Sequence, residues 1–350
     1  VDLDALEAAA RSGLTPPAYD YYAGGADDEL TLADNVAAWQ RLRLRPRVLR
    51  DVSVVDPATT VLGTAVRMPV LVAPTAYQRL AHEEGETATA RGAAAAGSVL
   101  IVSTLATVTL EDVAAAAPGA PRWMQIYLQR DQGASAELVA RAVAAGYGAL
   151  VLTVDLPVAG NRRRDERNAF ALPSGLTMAN LGASHPEASG GSALAAHVSR
   201  DLLGGITFAD VTWLAGLSEL PVLVKGVLRG DDAAECVRAG AAGVVVSNHG
   251  GRQLDGAVAT ADALPEVLDA VGGDVEVYVD GGVRRGTDVV KALALGARAV
   301  LIGRPVIWGL ATGGASGVQA VLDGFATEFV RAMALCGART VDELTPDLIA

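Results

Sequence analysis

Eight short apolar runs, each followed by a helical pattern, constrain this chain more than any other feature. The runs are Val70–Ala73, Val99–Val102, Met124–Leu128, Leu150–Val154, Val222–Lys225, Val244–Ser247, Val277–Asp280 and Val300–Ile302. They are continuous rather than alternating, as in strands covered on both faces of a parallel sheet. Helical patterns lie around them, such as Glu84–Ala96, Leu110–Ala116, Ala136–Ala145, Asp231–Ala239, Thr260–Val271, Thr287–Leu295 and Val318–Leu335. Gly97, Gly146, Gly240 and Gly296 precede strands, where helix C-caps belong. The alternation predicts an α/β fold, a closed (β/α)8 TIM barrel. An open doubly wound sheet is the alternative. No G-x-G-x-x-G follows the first strand, which counts against a dinucleotide fold.

Two segments break the rhythm. Residues 1–65 form an N-terminal extension with helix signals and the cluster Tyr19, Tyr21, Tyr22. Residues 165–207, after the fourth strand, are a Gly-, Ser- and Ala-rich insertion containing His185, Pro186 and His197. A mobile lid over the barrel mouth is expected there. Residues 1–350 read as one barrel domain, since a barrel with insertions commonly fills this length. A hydrophobic share of 51% supplies a sizeable core, and a net charge of −12 argues against a nucleic-acid partner. Cys236 and Cys336 stand 100 positions apart, a spacing that makes neither a metal site nor a disulfide framework. No metal is expected, and a reducing cytoplasm fits. No signal peptide is visible, and the uncharged run 92–110 is broken by Gly, Ser and Thr, so no membrane partner is expected.

In such a barrel the chemistry gathers where strands end. The residues there are Pro74-Thr75-Ala76, Ser103, Gln125 and Tyr127, Thr153 and Asp155, Lys225, Ser247 with His249 and Arg252, Asp280-Gly281-Gly282-Val283-Arg284, and Gly303-Arg304. Structural duty would favour apolar layers, so the polar succession points to a site. His249 can take a proton, and Arg252 can hold a carboxylate in bidentate fashion. The glycines and arginines after strands seven and eight occupy the usual barrel phosphate position. Lys225 ends a buried strand and needs an anionic partner. A reduced flavin and a Schiff-base role are the candidates, and the phosphate loops favour the flavin. His82, His185 and His197 read as helix-flanking or loop residues. Trp39, Trp123, Trp213 and Trp308 read as packing residues.

From Tyr19-Asp20-Tyr21-Tyr22 to the C-terminal helix, the chain resembles the FMN-dependent 2-hydroxy-acid oxidases and dehydrogenases. The strongest motif is Ser247-Asn248-His249-Gly250-Gly251-Arg252-Gln253-Leu254-Asp255. Leu152-Thr153-Val154-Asp155, Leu223-Val224-Lys225-Gly226, Asp280-Gly281-Gly282-Val283-Arg284-Arg285-Gly286 and Ile302-Gly303-Arg304-Pro305 support it. The resemblance implies FMN as cofactor, with a small 2-hydroxy acid and oxygen as reactants. It implies His249 as the base, paired with Asp155. Arg252 and Arg162 would clamp the substrate carboxylate, with Arg163 and Arg164 ranked lower. Tyr21 would bond that carboxylate, and Tyr127 the 2-hydroxyl region. Lys225 would face the flavin N1–O2 edge. Ser103, Gln125 and Thr153 would bond the ring, with Pro74, Thr75 and Ala76 behind it. Ser247, Asp280 and Gly281 join the cofactor set, and Gly282, Arg284, Gly303 and Arg304 would take the phosphate. A homotetramer is implied.

The chain departs from the glycolate-oxidase pattern at two places. Leu105 stands where a tryptophan lines the substrate pocket, and Tyr77 stands where a methionine is usual. These departures shift the expected substrate from a two-carbon acid to mandelate or 4-hydroxymandelate. Lactate or a medium-chain aliphatic acid is the alternative. A dehydrogenase using a quinone or protein acceptor is the runner-up for the final electron acceptor. Neither a haem-binding domain nor the apolar anchor of membrane-bound mandelate dehydrogenases is evident, so a soluble oxidase is expected.

Overall fold

The apolar runs close on themselves in the computed structural model, which describes residues 1–181 and 202–350. A hairpin of β1 (Thr59–Val61) and β2 (Thr64–Val66) precedes eight parallel strands. They are β3 (Val70–Val72), β4 (Leu100–Val102), β5 (Arg122–Ile126), β6 (Leu150–Thr153), β7 (Val222–Val227), β8 (Gly243–Val246), β9 (Glu276–Val279) and β10 (Ala299–Ile302). Each pairs with the next, and β10 pairs back to β3, giving a closed barrel. This is the (β/α)8 barrel that the alternation predicts, and the open sheet is excluded.

Strand periodicity explains why polar residues converge at one end. Leu71, Ile101, Trp123, Val151, Leu223, Val245, Tyr278 and Leu301 point inward and form a core inside the barrel. Val70, Val72, Leu100, Val102 and their counterparts belong to the second core, shared with the helices. Successive side chains alternate, so two residues beyond each inward apolar residue the chain points inward again. Those positions are Ala73, Ser103, Gln125, Thr153, Lys225, Ser247, Asp280 and Gly303. One end of the barrel is thus apolar fill, and the mouth carries chemistry.

The extension and the last helix differ from expectation. Helices α1 (Leu3–Gly13), α2 (Pro16–Ala23) and α3 (Leu30–Arg41) end at Arg41, and the hairpin follows. Val61 and Val66 of the hairpin join the barrel's inner core. Strands of three residues are too short for alternation to register in a sequence. The final helix runs Arg304–Cys336, well beyond Val318–Leu335, and breaks at Gly313 and Gly314. Those glycines mask its first half, because glycine is a weak helix former.

The insertion is also more structured at its start than its composition suggests. A short helix spans Arg163–Arg167, and the Phe170 ring is buried and stacks on Tyr21 at 4.6 Å. Asn180 Oδ1 accepts from the Leu110 amide at 2.8 Å, and Leu181 is buried. Residues 182–201, with His185, Pro186 and His197, lie outside the described residues, and most of the expected lid lies there. Among the described residues no helix is long and apolar enough to cross a membrane.

Candidate active site

A cavity with about 1030 Å³ of empty space, part of it open solvent, lies at the C-terminal ends of the strands. His249 stands on its wall with φ at 58°, followed by Gly250 at 65° and Gly251 at 75°. A left-handed histidine is uncommon and must be held. The Ser247 hydroxyl accepts from the His249 amide at 3.1 Å, and Asn248 Oδ1 accepts from Gly251 at 3.1 Å. Asn248 in turn exchanges two 2.8 Å bonds with Asn35 of α3. The N-terminal extension therefore buttresses the loop that carries His249.

The His249 ring meets Asp155 through Nδ1 at 2.8 Å from Oδ1, and among the described residues Nε2 is left without a hydrogen-bond partner. Burial lowers the His249 pKa, Asp155 opposes this, and Lys225 and Arg162 add to the lowering. The net shift is downward from the usual 6.5, so the ring is neutral at neutral pH. Burial alone would raise the Asp155 pKa, but His249 and Lys225 outweigh it and hold the carboxylate ionised. A neutral imidazole backed by an anion can accept a proton and keep it.

Two guanidiniums face the same space. Arg162 is buried, and its Nη1 has no partner among the described residues. Arg252 lies over the Tyr21 ring at 5.0 Å and donates to the Tyr21 and Gly24 carbonyls at 2.6 and 3.0 Å. Burial and the neighbouring Arg162 push the Arg252 pKa down to about 10. Two poorly solvated cations side by side, one with an orphaned donor, call for an anion. Arg163 and Arg164 instead pair with acidic residues of the extension: Asp27 and Asp28, and Asp20 and Glu29.

Lys225 has an anionic partner within the protein, which the sequence reading did not foresee. Its Nζ lies 3.1 Å from Asp280 Oδ2 and 2.9 Å from Ser247 Oγ. Burial lowers its pKa, but Asp280 and Asp155 prevail and raise it. A firmly protonated amine is a cation and not a Schiff-base nucleophile. Beside it, Gln125 donates to Thr153 Oγ1 at 3.1 Å and accepts from the Thr104 amide at 3.0 Å. At the far end, Gly281, Gly282 and Gly303 lie with Arg284 and Arg304. Gly282 has φ at 79°, and a Cβ there would sit 2.1 Å from the Asn35 carbonyl, so only glycine fits. Arg304 donates to the Tyr22, Gly250 and Gly24 carbonyls at 2.9, 3.1 and 3.0 Å, fastening the extension to the mouth.

The cavity brings together nearly all the residues expected from the sequence. Tyr21, Pro74, Thr75, Ala76, Ser103, Leu105, Gln125, Tyr127, Thr153, Arg162, Lys225, His249, Arg252, Asp280, Gly281, Gly282, Arg284, Gly303 and Arg304 line it. Asp155 and Ser247 do not; they stand behind the wall and orient His249 and Lys225. Tyr22 and Ile307 also line the cavity, and Asn35 supports it, without being foreseen. Tyr22 sits next to Tyr21, so the tyrosine cluster held that signal.

The profile of the FMN-dependent dehydrogenase family matches residues 10–350. The chain belongs to this family. An L-lactate oxidase from Nostoc sp. is 51% identical over 98% of this chain and 96% of its own length. The human 2-hydroxyacid oxidase 1 is 50% identical over 97% and 94%. A crystal structure of mandelate oxidase with (S)-4-hydroxymandelic acid superposes with a TM-score of 0.95 at 46% identity, covering 100% of this chain and 98% of that one. The protein is an FMN-dependent 2-hydroxy-acid oxidase.

FMN is the cofactor, and a further solved mandelate oxidase carries an FMN adduct. The donor set of this FMN-dependent oxidase fits such a group. A polar floor of Ser103, Gln125, Thr153 and Lys225 suits a ring with several acceptors, and the glycine and arginine end suits a phosphate. Asp280 Oδ1 is one more buried polar atom without a hydrogen-bond partner among the described residues. Neither cysteine lines the cavity, and His249 is committed to Asp155. Acid precipitation is therefore expected to release a yellow supernatant with the mass of FMN. A yellow pellet under a colourless supernatant would contradict non-covalent binding.

Proposed function

We propose that the chain oxidises an (S)-2-hydroxy acid with an aromatic side chain, mandelate or 4-hydroxymandelate, to the 2-oxo acid, with oxygen reduced to hydrogen peroxide. Arg162 and Arg252 bind the substrate carboxylate, joined by Tyr21. Tyr127 stands by the 2-hydroxyl. His249 accepts the proton at Nε2, and Asp155 stabilises the resulting imidazolium. When bound, FMN supplies a two-electron acceptor. Ser103, Gln125, Thr153 and Lys225 would hold its ring, with Pro74, Thr75 and Ala76 behind. Gly282, Arg284, Gly303 and Arg304 would hold its phosphate. The family resemblance supports a homotetramer, the chain length a single barrel domain, and the two free cysteines a reducing cytoplasm.

One observation carries the aromatic assignment: Leu105 lines the cavity together with Tyr21 and Tyr127. A leucine in place of an indole leaves room for a phenyl ring beside apolar surface. The likeness to a mandelate oxidase holding (S)-4-hydroxymandelic acid supports the same reading. A lactate or medium-chain aliphatic substrate is the second reading, favoured by the 51% identity to an L-lactate oxidase. Burial of the phenyl ring contributes on the order of 2 kcal/mol, about thirtyfold in kcat/KM. With oxygen as sole acceptor and peroxide as readout, (S)-mandelate is expected to exceed lactate, glycolate and 2-hydroxyoctanoate in kcat/KM. A tenfold advantage for lactate or the octanoate would reverse the assignment and leave the flavin chemistry intact.

A further inference from the structure

Behind the cavity wall lies a buried carboxylate with no part in the chemistry above. Glu86 sits in the first turn of the helix Gly85–Ala95 and is 1% exposed. Its Oε1 accepts from the Gln78 amide at 3.0 Å and from the Thr107 amide at 2.9 Å. Its Oε2 accepts from the Thr107 hydroxyl at 2.7 Å. Thr107 Oγ1 accepts in turn from the Arg79 amide at 3.1 Å. Gln78 and Thr107 belong to different loops, those leaving β3 and β4. The first loop carries Pro74, Thr75 and Ala76 on the cavity wall, and the second carries Ser103 and Leu105. The loops also meet directly, where the Tyr77 amide donates to the Leu105 carbonyl at 3.1 Å. Tyr77 is held left-handed with φ at 59°, and its carbonyl accepts from the Tyr22 hydroxyl at 2.7 Å.

We propose that Glu86 is a positioning residue that clasps the loops after β3 and β4, fixes Leu105, and so sets which substrate side chains fit. Two backbone N–H donors cannot bond each other, and one acceptor oxygen between them joins both loops. Without that oxygen, two buried donors lose their partner and the loops have reason to part. His249 and Arg252 follow β8, and Arg162 follows β6, so the carboxylate clamp and the base stand on other elements. Glu86 therefore acts on side-chain discrimination and not on proton transfer. The inference rests on the proposed placement of the substrate side chain beside Leu105.

The test uses FMN-loaded Glu86→Ala, Glu86→Gln and Thr107→Val. It compares kcat and KM for the largest and the smallest 2-hydroxy acids that the wild type turns over. In Glu86→Ala the ratio of kcat/KM, large over small, should fall at least tenfold through KM for the large acid. The kcat for the small acid should stay within threefold. Glu86→Gln should stay within threefold for both acids, because its amide oxygen still accepts from both loops. Thr107→Val removes the hydroxyl's bonds to Glu86 and to the Arg79 amide, keeps both amide bonds to Glu86, and should shift the ratio in the same direction by less. A parallel fall for both acids, or an unchanged ratio, overturns the proposal. If Glu86→Ala does not accumulate as holoenzyme, Thr107→Val decides by the same ratio. The wild-type panel reads the aromatic assignment separately, since preference for lactate would show there and leave the variant ratios interpretable.

Discussion

Replacement of His249 by Asn is expected to slow flavin reduction by about 10²-fold or more, the usual scale of a lost general base, while FMN stays bound. Asn is the informative substitution. It tolerates the left-handed backbone that His249 adopts at φ 58°. Its amide can still donate toward Asp155, so the loop after β8 keeps its shape while the basic nitrogen is gone. The pH dependence follows from the same environment. Burial, with Lys225 and Arg162, pulls the His249 pKa below 6.5 against the opposing pull of Asp155. The reactive form is the neutral ring, present above that pKa. The kcat/KM profile should thus be flat at neutral pH and fall as pH drops through a point below 6.5. Asp155→Asn removes the anion that raises this pKa, so its acid limb should move lower still. Anaerobic stopped-flow reduction and the pH profile of kcat/KM measure both effects. Near wild-type reduction in His249→Asn would remove the histidine from the role.

The barrel was readable because its strands are buried on both faces, so eight continuous apolar runs survive as a sequence signal. The mouth was readable for a related reason. Leu223 and Lys225, or Tyr278 and Asp280, stand two apart, and a strand's period of two carries an inward apolar residue to an inward polar one. Boundaries were less legible. The strand β5 starts at Arg122, whose charge hides its strand character. In the fold, its guanidinium bonds the Ala117, Ala120 and Ala145 carbonyls. Of the partnerships across the barrel, the pairing of His249 with Asp155 was legible through the family resemblance, and others were not. Asp280 neutralises Lys225, and Asn35 supports the His249 loop from 213 positions away, because closure and not local pattern brings them together. Glu86 escaped for the same reason: a carboxylate in a helix's first turn reads as a solvated favourable charge. Only the packed loops turn it inward.

The pair that the sequence hid supports a second large effect. Lys225→Met is expected to destabilise the fold, weaken FMN binding and lower the flavin potential. The Lys225 and Asp280 side chains are only 5% and 9% exposed, with Nζ and Oδ2 at 3.1 Å. Methionine fills most of the volume but leaves the Asp280 carboxylate charged and without its counter-ion. Breaking one side of such a pair costs roughly 3–5 kcal/mol, because the remaining charge is stranded in a poorly solvated site. The structural and cofactor consequences can be separated. Asp280→Asn added to Lys225→Met removes the stranded anion, so the double variant should recover much of the lost Tm. It restores no cation, so the flavin potential should stay low, since the charge that would favour reduced, anionic flavin is still missing. Thermal unfolding of the holoenzymes and redox titration of the bound flavin report the two quantities independently. An unchanged potential with full FMN occupancy in Lys225→Met would confine Lys225 to its bond with Asp280. Recovery of the potential in the double variant would assign the effect to the stranded carboxylate and not to the missing ammonium.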